Sequence, residues 1–254
     1  MAPARLVTAP KRAYPGAGTI VHPKVTPLRI VLPALPLLLC LICAPAHAAI
    51  TVTTEDYPPF NTVIDGKLAG ISTDLVKAIF ERAAVPYTIK VLPWARAYAM
   101  ALELKDTCVY STTVSDERRP LFQWVGPLVE NDWTLYGHDS RHLDIKTLAD
   151  AKRYRIGAYQ GAGISDFLTH GGFNVDTVPH DPLNIQKLLH DRIDLWATGS
   201  EAEPYLAWQA NAMGIVPLLT FKQVAMSLAC NKATDPATIG RLQEALDDIR
   251  GRRR

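Results

Sequence analysis

The chain has 254 residues, of which 48% are apolar and 20% are charged. This composition is typical of a globular protein and excludes a disordered or fibrous one. The net charge of +2 comes from residues 1–48, which contain five basic and no acidic residues. In the rest of the chain acidic residues outnumber basic ones by three, so we expect no nucleic-acid partner, which would need a basic face.

Residues 1–48 have the pattern of a secretory signal peptide. A basic segment precedes the apolar run IVLPALPLLLCLIC at residues 30–43, and Ala46-His47-Ala48 supplies the small residues of a cleavage site. We therefore expect export and cleavage near Ala48/Ala49. An uncleaved membrane anchor is the alternative, which the short run and its two prolines disfavour. Because the basic segment is long, we expect the true start nearer Val25 or Leu28.

From Ala49 onward, short β-branched strands alternate with amphipathic helices. The alternation predicts strands at Ile50–Thr54, Tyr87–Val91, Thr107–Thr112, Ile156–Tyr159, Ile193–Ala197 and Val224–Cys230. Helices are predicted after an N-cap at Ser72, at Trp94–Leu104, from Ser165, at Leu183–Leu189, at Glu201–Ala212 and after Asp235-Pro236. Strands separated by helices indicate an α/β class with a parallel sheet.

The chain has no internal repeat and no clear linker. Two lobes would therefore be joined by strands that cross from one to the other. The candidate crossover segments are Asn131–Tyr136 and Phe221–Met226.

Motifs of catalysis and cofactor binding are missing. The chain lacks a phosphate loop, and Gly161-Ala162-Gly163 lacks the third glycine of a dinucleotide site. His138 and His142 lie four apart in a polar stretch, where an exposed loop is favoured over a metal site. We expect no enzymatic activity, no cofactor and no metal. Cys108 and Cys230 lie in apolar runs, which favours buried free thiols, although export also permits a disulfide.

Polar and aromatic residues follow several predicted strands. In an open α/β sheet ligands bind beyond the carboxyl ends of the strands, so these residues are candidates for a ligand site. Each has a structural alternative: serine and threonine cap turns, tryptophan fills cores, charge runs are solvated, and glycines serve tight turns. The candidates are Tyr57, Trp94, Arg96, Ser111, Thr113, Arg118, Gly161, Ala162 and Gly163.

Six motifs, in this order, resemble the bacterial extracellular solute-binding proteins of family 3, from about Ile50 to Arg250. They are Tyr57-Pro58-Pro59-Phe60, Gly66-Lys67-Leu68-Ala69-Gly70 before Asp74-Leu75, Thr113-Val114-Ser115-Asp116-Glu117-Arg118, Trp124-Val125-Gly126-Pro127-Leu128, Gly161-Ala162-Gly163, and Arg192-Ile193-Asp194-Leu195. The resemblance implies a two-lobed periplasmic-binding-protein-like fold of type II, with the ligand cleft between the lobes. It places lobe 1 at residues 49–132 plus 225–254, and lobe 2 at residues 133–224.

The resemblance also implies a function and roles. The protein would be a periplasmic monomer that captures a small polar ligand, an amino acid or a related carboxylate, for the permease of an ABC transporter. Arg118 would grip the carboxylate, Thr113 and Tyr57 would contact the ligand, and the Gly161 loop would offer backbone N–H groups. The chain departs from the family at Gly199, where amino-acid binders carry an acid for the ligand's ammonium group, and Glu201 and Glu55 are the candidate substitutes.

Two further expectations follow from the resemblance. The family usually continues with another short helix after the last one, so the chain would be truncated at its C-terminal end. The rival functions are a periplasmic dehydratase-like enzyme on the same scaffold, and an orphan or sensory binding protein that is not coupled to transport.

Overall fold

The computed structural model describes residues 49–251, and strands and helices alternate along this part of the chain. The strands are β1 (Ile50–Thr54), β2 (Thr62–Ile64), β3 (Lys67–Ala69), β4 (Tyr87–Val91), β5 (Thr107–Thr113), β6 (Phe122–His138), β7 (Arg155–Tyr159), β8 (Asn174–Val178), β9 (Leu195–Gly199) and β10 (Ile215–Asn231). The α-helices are α1 (Ile71–Arg82), α2 (Trp94–Glu103), α3 (Gly163–His170), α4 (Pro182–Leu189), α5 (Glu203–Gln209) and α6 (Pro236–Gly251). Between residues 49 and 251, no helix is long and apolar enough to cross a membrane.

Eight strands form one sheet in the order β4-β1-β5-β10-β6-β9-β7-β8. The sheet is mixed, so the prediction of a parallel sheet is wrong at its centre. There β6 and β10 run antiparallel to each other over 17 residues each, and each also pairs antiparallel with its outer neighbour. Both predicted crossover segments lie inside these two long strands, which connect the two ends of the sheet.

Each end of the sheet carries its own helices. We call β4, β1 and β5 with α1, α2 and α6 the first lobe, and β9, β7 and β8 with α3, α4 and α5 the second lobe. One apolar cluster, which includes Val52, Phe80 and Leu242, belongs to the first lobe. A further cluster spans both, because Trp94 and Val109 of the first lobe pack in it with Ala158 and Leu195 of the second.

Helix α1 begins at Ile71 and not after an N-cap at Ser72, so that prediction is wrong. Gly70 is the N-cap residue, and its φ of 121° is a conformation that favours glycine. A Cβ there would lie 2.5 Å from the Phe60 carbonyl oxygen. The first N–H groups of the helix donate to the carbonyls of Pro59 and Phe60, so backbone atoms replace the side-chain cap.

The two cysteines of the described chain form a disulfide. Cys108 in β5 and Cys230 in β10 are directly paired across adjacent antiparallel strands, with Cα atoms 3.9 Å apart. The preference for buried free thiols is therefore wrong. Cross-strand pairing could not be read from the sequence, because the cysteines are separated by 122 residues.

Candidate functional site

One cavity, of about 20 Å³, lies where loops of both lobes meet. A volume of this size holds about one water molecule, so the cleft is closed. The cavity is lined by Tyr57, Trp94, Ser111, Thr113, Arg118, Asn131, Trp133, Tyr159, Ala162, Gly163, Ile164, Thr198, Gly199 and Met226.

Seven of the ten predicted site residues line this cavity. They are Tyr57, Trp94, Ser111, Thr113, Arg118, Ala162 and Gly163. Gly161 lies beside it and directs its carbonyl, and not its N–H, at Trp94 and Arg118. The other two, Arg96 and Glu201, are exposed and are not among the lining residues.

Arg118 is the one charged residue among those that line the cavity, and it is only 5% exposed. Its Nη2 donates to the Gly161 carbonyl at 2.7 Å and to Asp166 Oδ2 at 2.8 Å, both in the second lobe. The guanidinium carbon lies 5.9 Å from the Trp94 ring centroid and 5.1 Å from that of Tyr98, within cation–π range. Nη1 is buried and has no hydrogen-bond partner among residues 49–251.

Trp94 begins α2 and closes one side of the cavity. Its indole Nε1 donates to the Gly161 carbonyl at 2.6 Å, so Trp94 and Arg118 share one acceptor from the second lobe. The side chain is 5% exposed. Trp94 therefore belongs both to the apolar cluster that spans the lobes and to the cavity wall.

Ser111 lies at a distortion near the end of β5. Its φ of 59° is left-handed, which is uncommon for serine inside a strand, and the register between β5 and β10 shifts at this place. Ser111 Oγ donates to Asn61 Oδ1 at 2.5 Å. The local irregularity re-aims residues of β5 at the cavity, as β-bulges beside functional sites do.

A second group of polar side chains continues from the cavity into the second lobe. Tyr159 Oη donates to Glu55 Oε1 at 3.0 Å and joins the two lobes. Burial raises the pKa of Glu55 to about 8, against the lowering effect of that hydrogen bond, and the charges of Asp181 and Asp56 raise it further. Burial also raises the pKa of the Tyr159 hydroxyl well above its usual range, mainly by desolvation.

The raised pKa of Glu55 predicts that the stability of the folded protein depends on pH. Its pKa is near 8 in the folded state and near 4.5 in its ordinary surroundings, so the folded state holds the extra proton between these values. Stability is then lost as pH rises through this window. Glu55→Gln keeps an acceptor for Tyr159 and cannot ionise, so between pH 5 and pH 9 we expect its melting temperature to fall by roughly 5 °C less than that of the wild type.

The matched control for this prediction is Glu103→Gln, which changes an exposed carboxylate at the end of α2. The control should follow the wild-type melting curve across the whole pH range. If the melting temperatures of the wild type and Glu55→Gln fell equally with rising pH, Glu55 would be ionised in the folded protein at pH 7, and the prediction would be wrong.

Several residues that line the cavity are not among the site residues predicted from the sequence. Asn131, Trp133 and Met226 lie in the long central strands, and Thr198 and Gly199 end β9. Asn131 was visible only as a polar residue at the start of a predicted crossover segment. Asp166, which pairs with Arg118, carries no sequence signal beyond its place in the first turn of α3.

A larger cavity of about 230 Å³ adjoins the first and shares Thr113, Trp133 and Gly163 with it. Its charged lining residues are Asp116, Glu117, Asp166 and Lys222. Lys222 lies over the Phe167 ring, with Nζ 4.5 Å from the ring centroid. Three carboxylates against one ammonium group make this cavity acidic.

The model of the bacterial extracellular solute-binding proteins, family 3, matches residues 50–252. The chain belongs to this family. As a family 3 solute-binding protein it is of the extracellular or periplasmic type, and the family assigned from the six motifs is confirmed.

A curated relative is the L-cystine-binding protein TcyJ of Escherichia coli (strain K12). The two chains are 28% identical over 143 residues, which cover 54% of this chain and 53% of that protein. The same match is found for TcyJ of E. coli O6:H1. This family 3 member thus spans about half the length of the curated relatives it matches.

Solved structures show the same fold. A histidine kinase sensor domain with similarity to periplasmic binding proteins has a TM-score of 0.74 at 16% identity, covering 81% of this chain and 91% of its own. An ancestral arginine-binding protein bound to arginine has a TM-score of 0.69 at 21% identity, with coverages of 80% and 92%. The arginine-, lysine-, histidine-binding protein ArtJ from Geobacillus stearothermophilus has a TM-score of 0.70 at 17% identity, covering 80% of this chain and 90% of its own. The predicted two-lobed, type II α/β fold is confirmed.

Proposed function

We propose that this protein captures an amino acid in the cleft between its lobes and holds the ligand's carboxylate on Arg118. The observation that carries the proposal is the buried Nη1 of Arg118, which lines the cavity and lacks a protein acceptor among the described residues. A buried donor without a partner is costly, and a ligand carboxylate would supply the acceptor. The names of the relatives that bind L-cystine or arginine support an amino acid as the ligand class.

Ligand entry requires the lobes to separate. A cavity of about 20 Å³ is smaller than any amino acid, and the contacts of Gly161 and Asp166 with Arg118 hold the two sides together. We propose that an open state admits the ligand and that the ligand then favours the closed one, since binding shifts a conformational equilibrium by differential affinity. The closed form would be presented to the membrane permease of an ABC transporter.

The adjoining acidic cavity is the proposed place for the ligand's side chain. It shares its boundary residues with the Arg118 cavity and has about ten times the volume. Its excess of carboxylates favours a side chain that ends in a positive or zwitterionic group, as in L-arginine or L-cystine, over an acidic one.

We further propose export, a monomeric state and unchanged release of the ligand. The signal peptide assigned to residues 1–48 lies outside the described residues, and so does its cleavage site at Ala48. The proposed lobe boundaries, at residues 132/133 and 224/225, fall in the central strands, where β6 begins to pair with β9 at Trp133 and β10 with β5 at Met226.

The proposal is tested by titrating the purified protein with the twenty standard L-amino acids and L-cystine. Trp94 and Trp133 line the cavity, so tryptophan fluorescence should change on binding, and the melting temperature should rise for the same compound. The control is that compound with its carboxylate converted to an amide, which should not bind. A folded protein that responds to none of the amino acids would contradict the proposal.

Asp166 competes with the ligand for Arg118 in this account. Its Oδ2 accepts from Arg118 Nη2, and the pair is half exposed on the aspartate side. We expect Asp166→Asn to bind the same amino acid about 5-fold more tightly, the effect of removing one partly exposed ion pair. Isothermal titration calorimetry measures the change, and Asp144→Asn is the matched control on an exposed acid that lines neither cavity. Weaker binding by Asp166→Asn would mean that Asp166 orients Arg118 for the ligand.

A further inference from the structure

Asn131 presents a second buried atom that lacks a partner. Its side chain is 3% exposed and lines the cavity, and its Nδ2 donates to Tyr57 Oη at 3.3 Å. Its Oδ1 has no hydrogen-bond partner among residues 49–251. The cavity thus contains one unsatisfied cationic donor, Arg118 Nη1, and one unsatisfied neutral acceptor, Asn131 Oδ1.

The two acceptors of Asn131 Nδ2 fix which end of the Asn131 amide faces the cavity, and a buried carboxylate lies on the same side of the cavity. The carboxylate of Asp181, which is 6% exposed, accepts from Thr198 Oγ1 at 2.6 Å, from Trp196 Nε1 at 2.7 Å and from Asn184 Nδ2 at 3.0 Å. Asn131 Nδ2 is directed away from this carboxylate, because it donates to Tyr57 Oη at 3.3 Å and to Met226 Sδ at 3.9 Å. Asn131 Oδ1 is left as the acceptor for the cavity.

Gly199 provides the space for this arrangement. A Cβ at Gly199 would lie 2.5 Å from Asn131 Oδ1 and 2.6 Å from Tyr57 Oη. No side chain fits at this position, and the Asn131 amide and the Tyr57 hydroxyl occupy the room that one would need. This wall of the cavity therefore offers the ligand a neutral acceptor, behind which the Asp181 carboxylate lies buried.

We propose that Asn131 is a ligand-binding residue whose Oδ1 accepts a hydrogen bond from the amino group of the bound amino acid. The inference rests on the proposed function, in which Arg118 holds the carboxylate of the same ligand. Asp181 acts as a positioning residue, because it accepts a hydrogen bond from Thr198, which lines the same cavity as Asn131. The site therefore selects molecules that carry an N–H donor close to a carboxylate.

The test compares each amino acid that binds with the acid that lacks its α-amino group, for example L-cystine with 3,3′-dithiodipropionic acid. The wild type should prefer the amino acid. Asn131→Leu should bind the amino acid about 10-fold or more weakly and the acid without the amino group within about 2-fold of the wild type. Asp181→Asn removes a charge that lies outside the cavity. It should lower the affinity for the amino acid and leave the affinity for the acid without the amino group unchanged.

Melting curves without added amino acid show whether each variant folds. Asn131→Leu should melt at or above the wild-type temperature, because an unsatisfied buried acceptor has been removed. Asn131→Asp, which keeps an acceptor and adds charge, should retain the preference for the amino acid. If Asn131→Leu binds the amino acid as the wild type does, or loses both compounds equally, the inference is overturned and the proposed function stands. If the wild type binds no compound of the panel, both are overturned.

Discussion

Replacing Arg118 with alanine is expected to weaken binding of the amino acid by about 100-fold or more, because the truncation removes a buried cation and its unpaired hydrogen-bond donor from the cavity. Arg118→Lys should not restore binding. A lysine ammonium lacks the planar fork that engages a carboxylate with two parallel hydrogen bonds, and it cannot stack between Trp94 and Tyr98 in the same way. Isothermal titration calorimetry measures the loss.

The control for Arg118 is its neighbour. Arg119→Ala removes the same charge one residue along the chain, where the side chain is exposed and outside the cavity lining. Its affinity should stay within about 2-fold of the wild type, as is usual for exposed charges. Unchanged affinity in a folded Arg118→Ala protein would show that the carboxylate is held elsewhere.

Removing the disulfide is expected to have the largest effect on stability. The bond between Cys108 and Cys230 closes a loop of 122 residues and joins β5 to the returning strand β10. A link that restricts the unfolded chain over such a length typically contributes about 2–5 kcal/mol. For a protein of this size that corresponds to a fall in melting temperature of about 5–15 °C in the Cys108→Ala, Cys230→Ala double variant.

Thiol counting provides the control for the disulfide prediction. A protein that begins at Ala49 has no cysteines other than Cys108 and Cys230. Unfolded without reductant, it should therefore show no free thiol, and two after reduction. Two free thiols without reductant, or a double variant that melts with the wild type under oxidising conditions, would contradict the structure.

The sequence predicted most elements, because their signals are local. Helix α2 and strands β1, β4 and β7 appear within one residue of their predicted bounds, since apolar periodicity and β-branched runs mark them directly. The direction of the central strands could not be read in this way. β6 and β10 pair over their whole length only because two segments more than 75 residues apart meet in the fold, and such long-range pairing leaves no local trace.

The sequence predicts the cavity-lining residues that the first lobe contributes better than those of the central strands. Arg118, Thr113 and Tyr57 follow strands and occur in motifs, so local sequence signals mark them. Asn131 lies inside a strand with no motif, and the burial and contacts that single it out depend on Tyr57, 74 residues away. The Gly161 loop carries a sequence signal, but its peptide orientation does not, because the carbonyl accepts from Trp94 and Arg118, which are 67 and 43 residues away in the chain.

In the binding mode proposed above, the cleft holds an amino acid between Arg118 and Asn131. A crystal structure of the protein with the amino acid that raises its melting temperature most tests it directly. We expect a carboxylate oxygen within about 3 Å of Arg118 Nη1 and the amino nitrogen within about 3 Å of Asn131 Oδ1, with the lobes closed around both. An amino acid bound outside this cleft, or one whose carboxylate points away from Arg118, would contradict it.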